Sequence, residues 1–235
     1  MLWPTSSVVA AEDAARSLIE PFTATYSVTY KGIPAGTAVF DLRAEADGTF
    51  SYVSRSKARG PFRLFLSREL VQQSWMSIDE QGVHPLRYAG DDGKHSAEAT
   101  IEYRFDWAAG RVTGVQEGVA VDLALVAGVQ DPMSAQVALM ADLAAGRQPQ
   151  SYQLVDKTSL TTYDYSSGGA ERLQTPFGTY DTQVFVSRRD GAKHSIRIWL
   201  APELGFAPLQ AEQRREEKRV WIMRIDSLIR PRKGG

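Results

Sequence analysis

The feature that most constrains this chain is a strict alternation of apolar and polar residues. In residues 22–30 the apolar positions, from Phe22 to Tyr30, alternate with Thr and Ser, and residues 97–107 alternate in the same way up to Trp107. Successive side chains of a β-strand point to opposite faces of the sheet, so this period places one face in a core and the other in water. Both segments are predicted to be strands.

Shorter segments with the same period are spread over the rest of the chain. They lie around residues 38–42, 50–56, 62–75, 119–125, 152–165, 182–186, 195–200, 207–213 and 220–228. Turn-forming pairs separate them, including Asp-Gly at 47–48 and 190–191 and Gly-Gly at 168–169. This spacing predicts an antiparallel meander of about a dozen strands.

One segment has the period of a helix instead. Asp131 followed by Pro132 is typical of a helix start, apolar residues then recur at helical spacing through Met140, and Gly146 stands where a helix would stop. The pattern predicts one helix of about four turns over residues 131–146.

The predicted strands and helix together limit the architecture. Twelve strands at about 4.8 Å spacing form a sheet nearly 60 Å wide, whereas a helix of about four turns covers roughly 22 Å by 10 Å. One helix cannot cover a face of such a sheet. We therefore expect a curled antiparallel sheet, half-open or barrel-like, with the helix at its opening. The interior is either a cavity or, if the sheet folds tightly, a packed core.

The ends of the chain differ in composition from its middle. Residues 1–11 are apolar, but a secretory signal would need a basic segment and a longer apolar core. They form either a frayed terminus or the remnant of a signal peptide. No apolar run reaches the 18 or more residues of a membrane span, so we expect none. The predicted organisation is an N-terminal segment at 1–21, with a short helix, a single β-rich domain at 22–229 and a loose basic tail at 230–235.

Charge and motif content narrow the classes of function. The chain has 27 basic and 28 acidic residues, a balance that argues against nucleic acid as a partner. The absence of cysteine excludes disulfides and thiolate chemistry. Phosphate-binding loops, nucleophile elbows and zinc-binding helices are missing as well. We expect no cofactor, no metal and no catalytic activity; a hydrolase whose carboxylates or histidines are brought together only by folding stays an alternative.

The candidate ligand-binding residues are apolar. The segment that follows Pro61 carries large apolar groups on both faces of the strand predicted there, which favours either a strand that crosses the core or a rim strand that meets a ligand or lipid. We predict that Phe62, Phe65 and Leu66 line the mouth of the curled sheet, with Trp75 and Trp107 deeper inside.

Several segments carry a resemblance to a known family. Residues 175–182 (TPFGTYDT) and 199–209 (WLAPELGFAPL), together with 26–32 (YSVTYKG) and 131–134 (DPMS), resemble the bacterial envelope proteins grouped as domain of unknown function 3108. The resemblance covers most of the chain from about residue 22. It implies an exported, periplasmic protein of Gram-negative bacteria and carries no catalytic residues.

A looser resemblance concerns architecture alone. A curled antiparallel sheet with a helix at its mouth is similar to the periplasmic lipoprotein carriers, which hold acyl chains in an open half-barrel. The leading hypothesis is thus a non-catalytic envelope protein that binds an acyl chain, a lipid or a lipidated protein inside the sheet. The alternative is a structural or protein-interaction module of the envelope with a packed interior.

Overall fold

The computed structural model describes residues 19–64, 66, 68–91, 100–216 and 218–231 of the 235-residue chain. Within them the strands are β1 (Phe22–Tyr30), β2 (Ile33–Ala44), β3 (Phe50–Ala58), β4 (Leu70–Asp79), β5 (Gly82–Asp91), β6 (Thr100–Asp106), β7 (Arg111–Gln116), β8 (Val119–Ala124), β9 (Ser151–Asp156), β10 (Ser159–Thr175), β11 (Gly178–Arg189), β12 (His194–Ala201), β13 (Ala207–Arg215) and β14 (Lys218–Ile229). The helix α1 (Ser134–Ala144) and two short 3-10 helices, Gly60–Leu64 and Pro202–Leu204, complete the described elements.

All strands belong to one antiparallel sheet of fourteen strands. Its order is β8-β7-β6-β5-β4-β3-β2-β1-β14-β13-β12-β11-β10-β9, so each half of the chain forms a meander and β1 joins the halves by pairing with β14. The edges are β8 and β9, which follow one another in the chain with α1 between them. The predicted curled, half-open antiparallel sheet with one mid-chain helix is confirmed.

The interior of the curled sheet is filled by aromatic side chains and by α1. Alternate residues of β1, from Phe22 to Tyr26, point inward as the period predicted. Tyr52 and Tyr88 are also fully buried, and the Tyr26 hydroxyl donates to the carbonyl of Pro208 at 2.6 Å. Helix α1 is buried on nearly all sides, which is expected of a helix inside a core rather than on a surface.

Helix α1 is shorter than the predicted segment 131–146 because its first residues form a turn. The Asp131 carboxylate accepts hydrogen bonds from the backbone N–H groups of Met133 and Ser134, at 2.8 and 2.9 Å, and so fixes the turn that leads into the helix. At the other end Gly146 has φ of +75°, a left-handed conformation that glycine adopts without strain. The predicted stop is confirmed.

One predicted strand is wrong in its first half. Residues 60–64 form a 3-10 helix, and β4 begins only at Leu70. Gly60 has φ of +59°, and Pro61 carries no N–H for a strand ladder. Apolar groups on both faces favour a strand that crosses the core or lies at the rim; the segment is instead a short helix in which Leu64 is 85% exposed.

The two edges of the sheet face each other across a gap, here called the seam. At the upper end, where β7 finishes, the Gln116 side-chain carbonyl accepts hydrogen bonds from the Tyr103 hydroxyl and, at 2.6 Å, from the Lys157 backbone N–H beside β9. Halfway down, Gln130 exchanges backbone hydrogen bonds with Gln153 and Val155 of β9, at 2.8 and 3.1 Å. Below Gln130 the seam opens. In the described part of the chain, no helix is long and apolar enough to span a membrane.

Candidate functional site

The open lower part of the seam forms a cleft of about 730 Å³. Its walls come from the start of β5, the turn after β6, the segment between β8 and α1, one face of α1 and the start of β9. The fold creates this cleft because the chain leaves β8, crosses the seam through Gln130 and enters the barrel as α1 before it returns as β9. Its volume lies within the usual range of pockets for small molecules, about 300–1,000 Å³.

One wall of the cleft is aromatic. The Trp107 ring meets the His84 ring edge-on, with centroids 5.2 Å apart. The indole N–H donates to the carbonyl of Pro85 at 2.8 Å, which fixes the ring. His84 Nε2 lies 3.0 Å from an oxygen of Asp79, so its imidazole is held as well. These contacts leave a half-buried, rigid apolar surface facing the cleft.

The opposite wall combines an aromatic ring with a charge. The Tyr152 hydroxyl donates to Asp142 of α1 at 2.5 Å, and the Arg147 guanidinium donates to the same carboxylate at 2.9 and 2.7 Å. Burial, and then the bond to Asp142, raise the pKa of Tyr152 far above its ordinary value. Tyr152 therefore stays protonated and serves as a fixed donor that ties β9 to α1.

Gln130 closes the cleft from above. Its side-chain amide N–H donates to the carbonyl of Val83 at 2.8 Å, while its Oε1, buried, accepts no hydrogen bond from any described residue. The side chain is 2% exposed. A buried acceptor without a donor costs free energy, so this amide is only partly satisfied by the described residues.

Asp131, next to Gln130, anchors this arrangement to the sheet. Its carboxylate accepts from the Ser74 hydroxyl at 2.6 Å in addition to the two backbone N–H groups at the helix start. Burial raises the pKa of Asp131 to about 6, and the hydrogen bonds that it accepts limit the rise. The group lies outside the cleft lining, so it positions Gln130 and α1 rather than meeting a ligand.

The five residues predicted from the sequence do not come together around one cavity. Trp107 lines the cleft. Phe62 and Leu66 lie at the opposite end of the sheet, and Phe65 falls outside the described residues. Trp75 is on the outer face, its ring under the Arg87 guanidinium at 5.0 Å, because Ser74 and Met76 face the core.

The structure adds His84, Gln130 and Tyr152 to the candidate site, none of which the sequence analysis proposed. Gln130 had a usable signal, since it is an amide within an apolar run directly before a helix start. His84 and Tyr152 had none, because their roles depend on partners that folding brings together, Trp107 for His84 and Asp142 for Tyr152. Among the described residues no three His, Asp or Glu side chains form a cluster that could hold a metal ion.

Fold and cleft together define a curled, open antiparallel barrel with an internal helix and a cleft between its two edges. The chain belongs to the family described as protein of unknown function (DUF3108), whose model matches residues 25–217. No curated protein matches it.

Solved structures resemble the chain at low sequence identity. A β-barrel-like DUF1849 protein from Brucella abortus is 13% identical, with 91% of this chain and 98% of that chain covered and a TM-score of 0.59. A MucA/MucB complex from Pseudomonas aeruginosa is 14% identical, with 95% and 56% covered and a TM-score of 0.40. A protein described as exported, with a YmcC-like fold, from Bacteroides fragilis is 10% identical, with 90% and 97% covered and a TM-score of 0.38. The Brucella structure shows the fold, and the other two scores are too low to add to it.

Proposed function

We propose that the protein is a non-catalytic binding protein that holds a hydrophobic ligand with a polar head, such as an acyl chain of a lipid or of a lipidated protein, in the seam cleft. The observation that carries this proposal is the combination of an aromatic wall at Trp107 with the unpartnered acceptor of Gln130. An apolar body would pack on the wall, and a small movement of the buried Gln130 side chain would bring its acceptor to a hydroxyl or amide N–H of the ligand.

The internal packing supports the cleft, rather than the barrel interior, as the place of binding. The interior is occupied by α1 and by buried aromatic rings. A ligand would therefore enter and bind at the seam. This differs from the half-barrel carriers, in which the sheet itself encloses the acyl chain. The proposed ligand is therefore bound along one side of α1, with one end open to solvent.

The state of the titratable groups supports binding rather than catalysis. His84 is engaged by Asp79, and Asp142 is engaged by both Tyr152 and Arg147. A general base must reach the proton that it removes, and an activated nucleophile must lie beside its base. Asp142 is occupied by its two partners, and His84, although oriented by Asp79, makes no hydrogen bond to a hydroxyl group of any described residue that it could activate.

A second candidate function is protein binding through the sheet edges. Among the residues that the structure describes, the outer edge of β9 is paired only at Gln130, and β8 is the other end strand of the sheet. An exposed edge presents backbone donors and acceptors to which a partner can add a strand. This candidate predicts that a partner peptide, and not a lipid, protects the N–H groups of β8 or β9 from hydrogen exchange.

A fluorescent acyl probe tests the proposed function directly. We expect Trp107→Ala to weaken probe binding at least tenfold, since it removes the wall, and Trp75→Ala on the outer face to leave affinity unchanged. Gln130→Leu should weaken a probe that carries a hydroxyl or amide head more than a hydrocarbon probe. If the wild type binds neither probe, the edge-binding candidate takes precedence. Mass spectrometry of lipids extracted from gently purified protein would identify the natural ligand.

Location in the envelope is part of the same proposal. It extends the family resemblance, which implies export to the periplasm. A fusion of the natural coding region to alkaline phosphatase, which is active only outside the cytoplasm, would report the compartment. We expect an active fusion and release of the protein with the periplasmic fraction; an inactive fusion and recovery with the cytosol would contradict it.

A further inference from the structure

A second feature lies at the upper end of the sheet, away from the cleft. It is built from the β1–β2 turn and from the 3-10 helix between β3 and β4, and its side chains are apolar and basic in nearly equal number. We call it the basic apolar rim; its members are Tyr30, Lys31, Ile33, Arg59, Phe62, Arg63 and Leu64.

The apolar side chains of the rim project into solvent. Leu64 is 85% exposed, Ile33 55% and Tyr30 37%. The Phe62 ring meets the Tyr30 ring edge-on with centroids 5.8 Å apart, which joins the two segments into one surface. Large hydrophobic groups gathered at one place on a surface mark an interaction site more often than single ones do.

Backbone hydrogen bonds hold the rim in place. The Arg59 N–H donates to the carbonyl of Ala35 at 2.7 Å, and the Lys31 N–H donates to that of Val220 at 2.8 Å. Just after the 3-10 helix, the Leu66 N–H donates back to the carbonyl of Phe62 at 3.0 Å. The exposed side chains are thus presented by anchored turns, and their exposure does not depend on packing.

The rim carries three positively charged side chains. Lys31, Arg59 and Arg63 form no ion pair with any described residue; the nearby Lys57 is paired with Glu69 at 3.5 Å. Lys31 lies over the Tyr30 ring at 5.3 Å. Since the whole chain has a net charge of -1, this excess must be balanced by acids elsewhere, such as those of the β4–β5 turn.

The chemistry of the rim fits a lipid surface better than a protein. Protein interfaces favour Arg and aromatic rings as well, but the rim combines cations that have no ion-pair partner among the described residues with exposed aliphatic side chains. The membrane interface favours this combination, with aromatic rings beside Lys and Arg. Anionic headgroups attract the cations while the apolar groups enter the acyl boundary. We propose that the basic apolar rim seats the protein on the surface of a membrane that contains anionic lipids. This is independent of the ligand proposed for the cleft.

Sedimentation with lipid vesicles tests this proposal. We expect the wild type to bind vesicles of phosphatidylcholine with about one-third phosphatidylglycerol, to bind pure phosphatidylcholine much more weakly, and to be released by high salt. A triple variant, Lys31→Gln, Arg59→Gln and Arg63→Gln, should bind anionic vesicles on the order of a hundredfold more weakly.

Matched control variants distinguish binding through the rim from nonspecific adsorption to lipid. The double variant Ile33→Ser and Leu64→Ser should lose roughly tenfold or more of its vesicle affinity, while Ile229→Ser, which changes an aliphatic residue 64% exposed at the other end of the sheet, should lose none. The corresponding charge control is Arg172→Gln on β10. Thermal unfolding of each variant establishes that it is folded.

Three results would overturn the proposal. One is a wild-type protein that does not bind anionic vesicles, which is the result expected if the rim binds an acidic protein instead. Another is equal binding to neutral and anionic vesicles, which would remove the role of the cations. The third is equal loss of binding in the rim variants and in the two control variants.

Discussion

The seam and the basic apolar rim both expose aromatic and charged side chains, but they support them in opposite ways. At the seam, each polar group is bonded to a different element of the fold, as when Gln130 joins β9 to β5. At the rim, backbone bonds hold the turns and the side chains make few contacts. We therefore expect substitutions at the seam to change stability and binding together, and substitutions at the rim to change binding alone.

The largest effect is expected at Asp131. Asp131→Ala removes the acceptor for three buried donors, among them the Ser74 hydroxyl, and should lower the free energy of unfolding by about 3–5 kcal/mol. Asp131→Asn keeps an acceptor for the helix start and is the control. Urea unfolding of both variants is the measurement; similar stability of the Ala variant and the wild type would show that this anchor is dispensable.

The titration of Asp131 should also appear in the pH dependence of the unfolding free energy. The pKa of Asp131 is raised from 3.8 to about 6 in the folded state, so the folded protein holds this proton more tightly than the unfolded chain does. Its favourable contribution is present below about pH 4 and is lost as the pH rises through about 6, a change of roughly 3 kcal/mol.

Comparison with Asp131→Asn isolates this contribution, because every other titrating group is common to both proteins. Among those groups is Glu212, where burial would raise the pKa but hydrogen bonds from two arginines lower it. The difference in unfolding free energy between wild type and variant should change between pH 4 and pH 7. Parallel curves would mean that the Asp131 carboxyl titrates normally.

A smaller effect is expected where the upper seam is joined. Gln116→Ala leaves the Tyr103 hydroxyl and the Lys157 N–H without their shared acceptor, and should cost about 2 kcal/mol. Hydrogen exchange should accelerate in β9 and at the Lys157 turn while β1 is unaffected. Faster exchange throughout the sheet would instead mean that the seam and the rest of the sheet unfold as one unit.

The smallest effect is expected at the rim. The double variant Ile33→Ser and Leu64→Ser should unfold within about 0.5 kcal/mol of the wild type, because both side chains are exposed. Thermal unfolding is sufficient to test this. A loss of more than about 2 kcal/mol would show that these side chains pack against the fold, and the contrast between seam and rim would disappear.

Much of the fold could be predicted from local patterns. Residues 22–30 alternate because β1 has one buried and one open face, and its bounds match the prediction. The segment at 60–64 could not be assigned in this way, because its apolar side chains face solvent in a short helix. Apolar residues on an external surface cannot be recognised from a sequence pattern that reports burial.

The site was harder to predict than the fold. Trp75 was expected inside because it is large and apolar, but the small, polar Ser74 takes the inward position to meet Asp131, which lies 57 positions further along the chain. Gln130 is bonded to β5 and β9, and Tyr152 is bonded to Asp142 of α1; these partners are set by the fold. The contacts at the seam join residues 41 and 47 positions apart, Gln116 with Lys157 and Gln130 with Val83, which is beyond the reach of any local pattern.

The length of β4 separates the two proposed binding surfaces. The 3-10 helix of the rim precedes this strand and the turn beside the cleft follows it, and its ten residues span roughly 33 Å. The Debye length is about 8 Å at physiological ionic strength. A charged headgroup in the cleft would therefore be screened from the rim, and the two proposals together predict that high salt detaches the protein from a bilayer without releasing the ligand of the cleft.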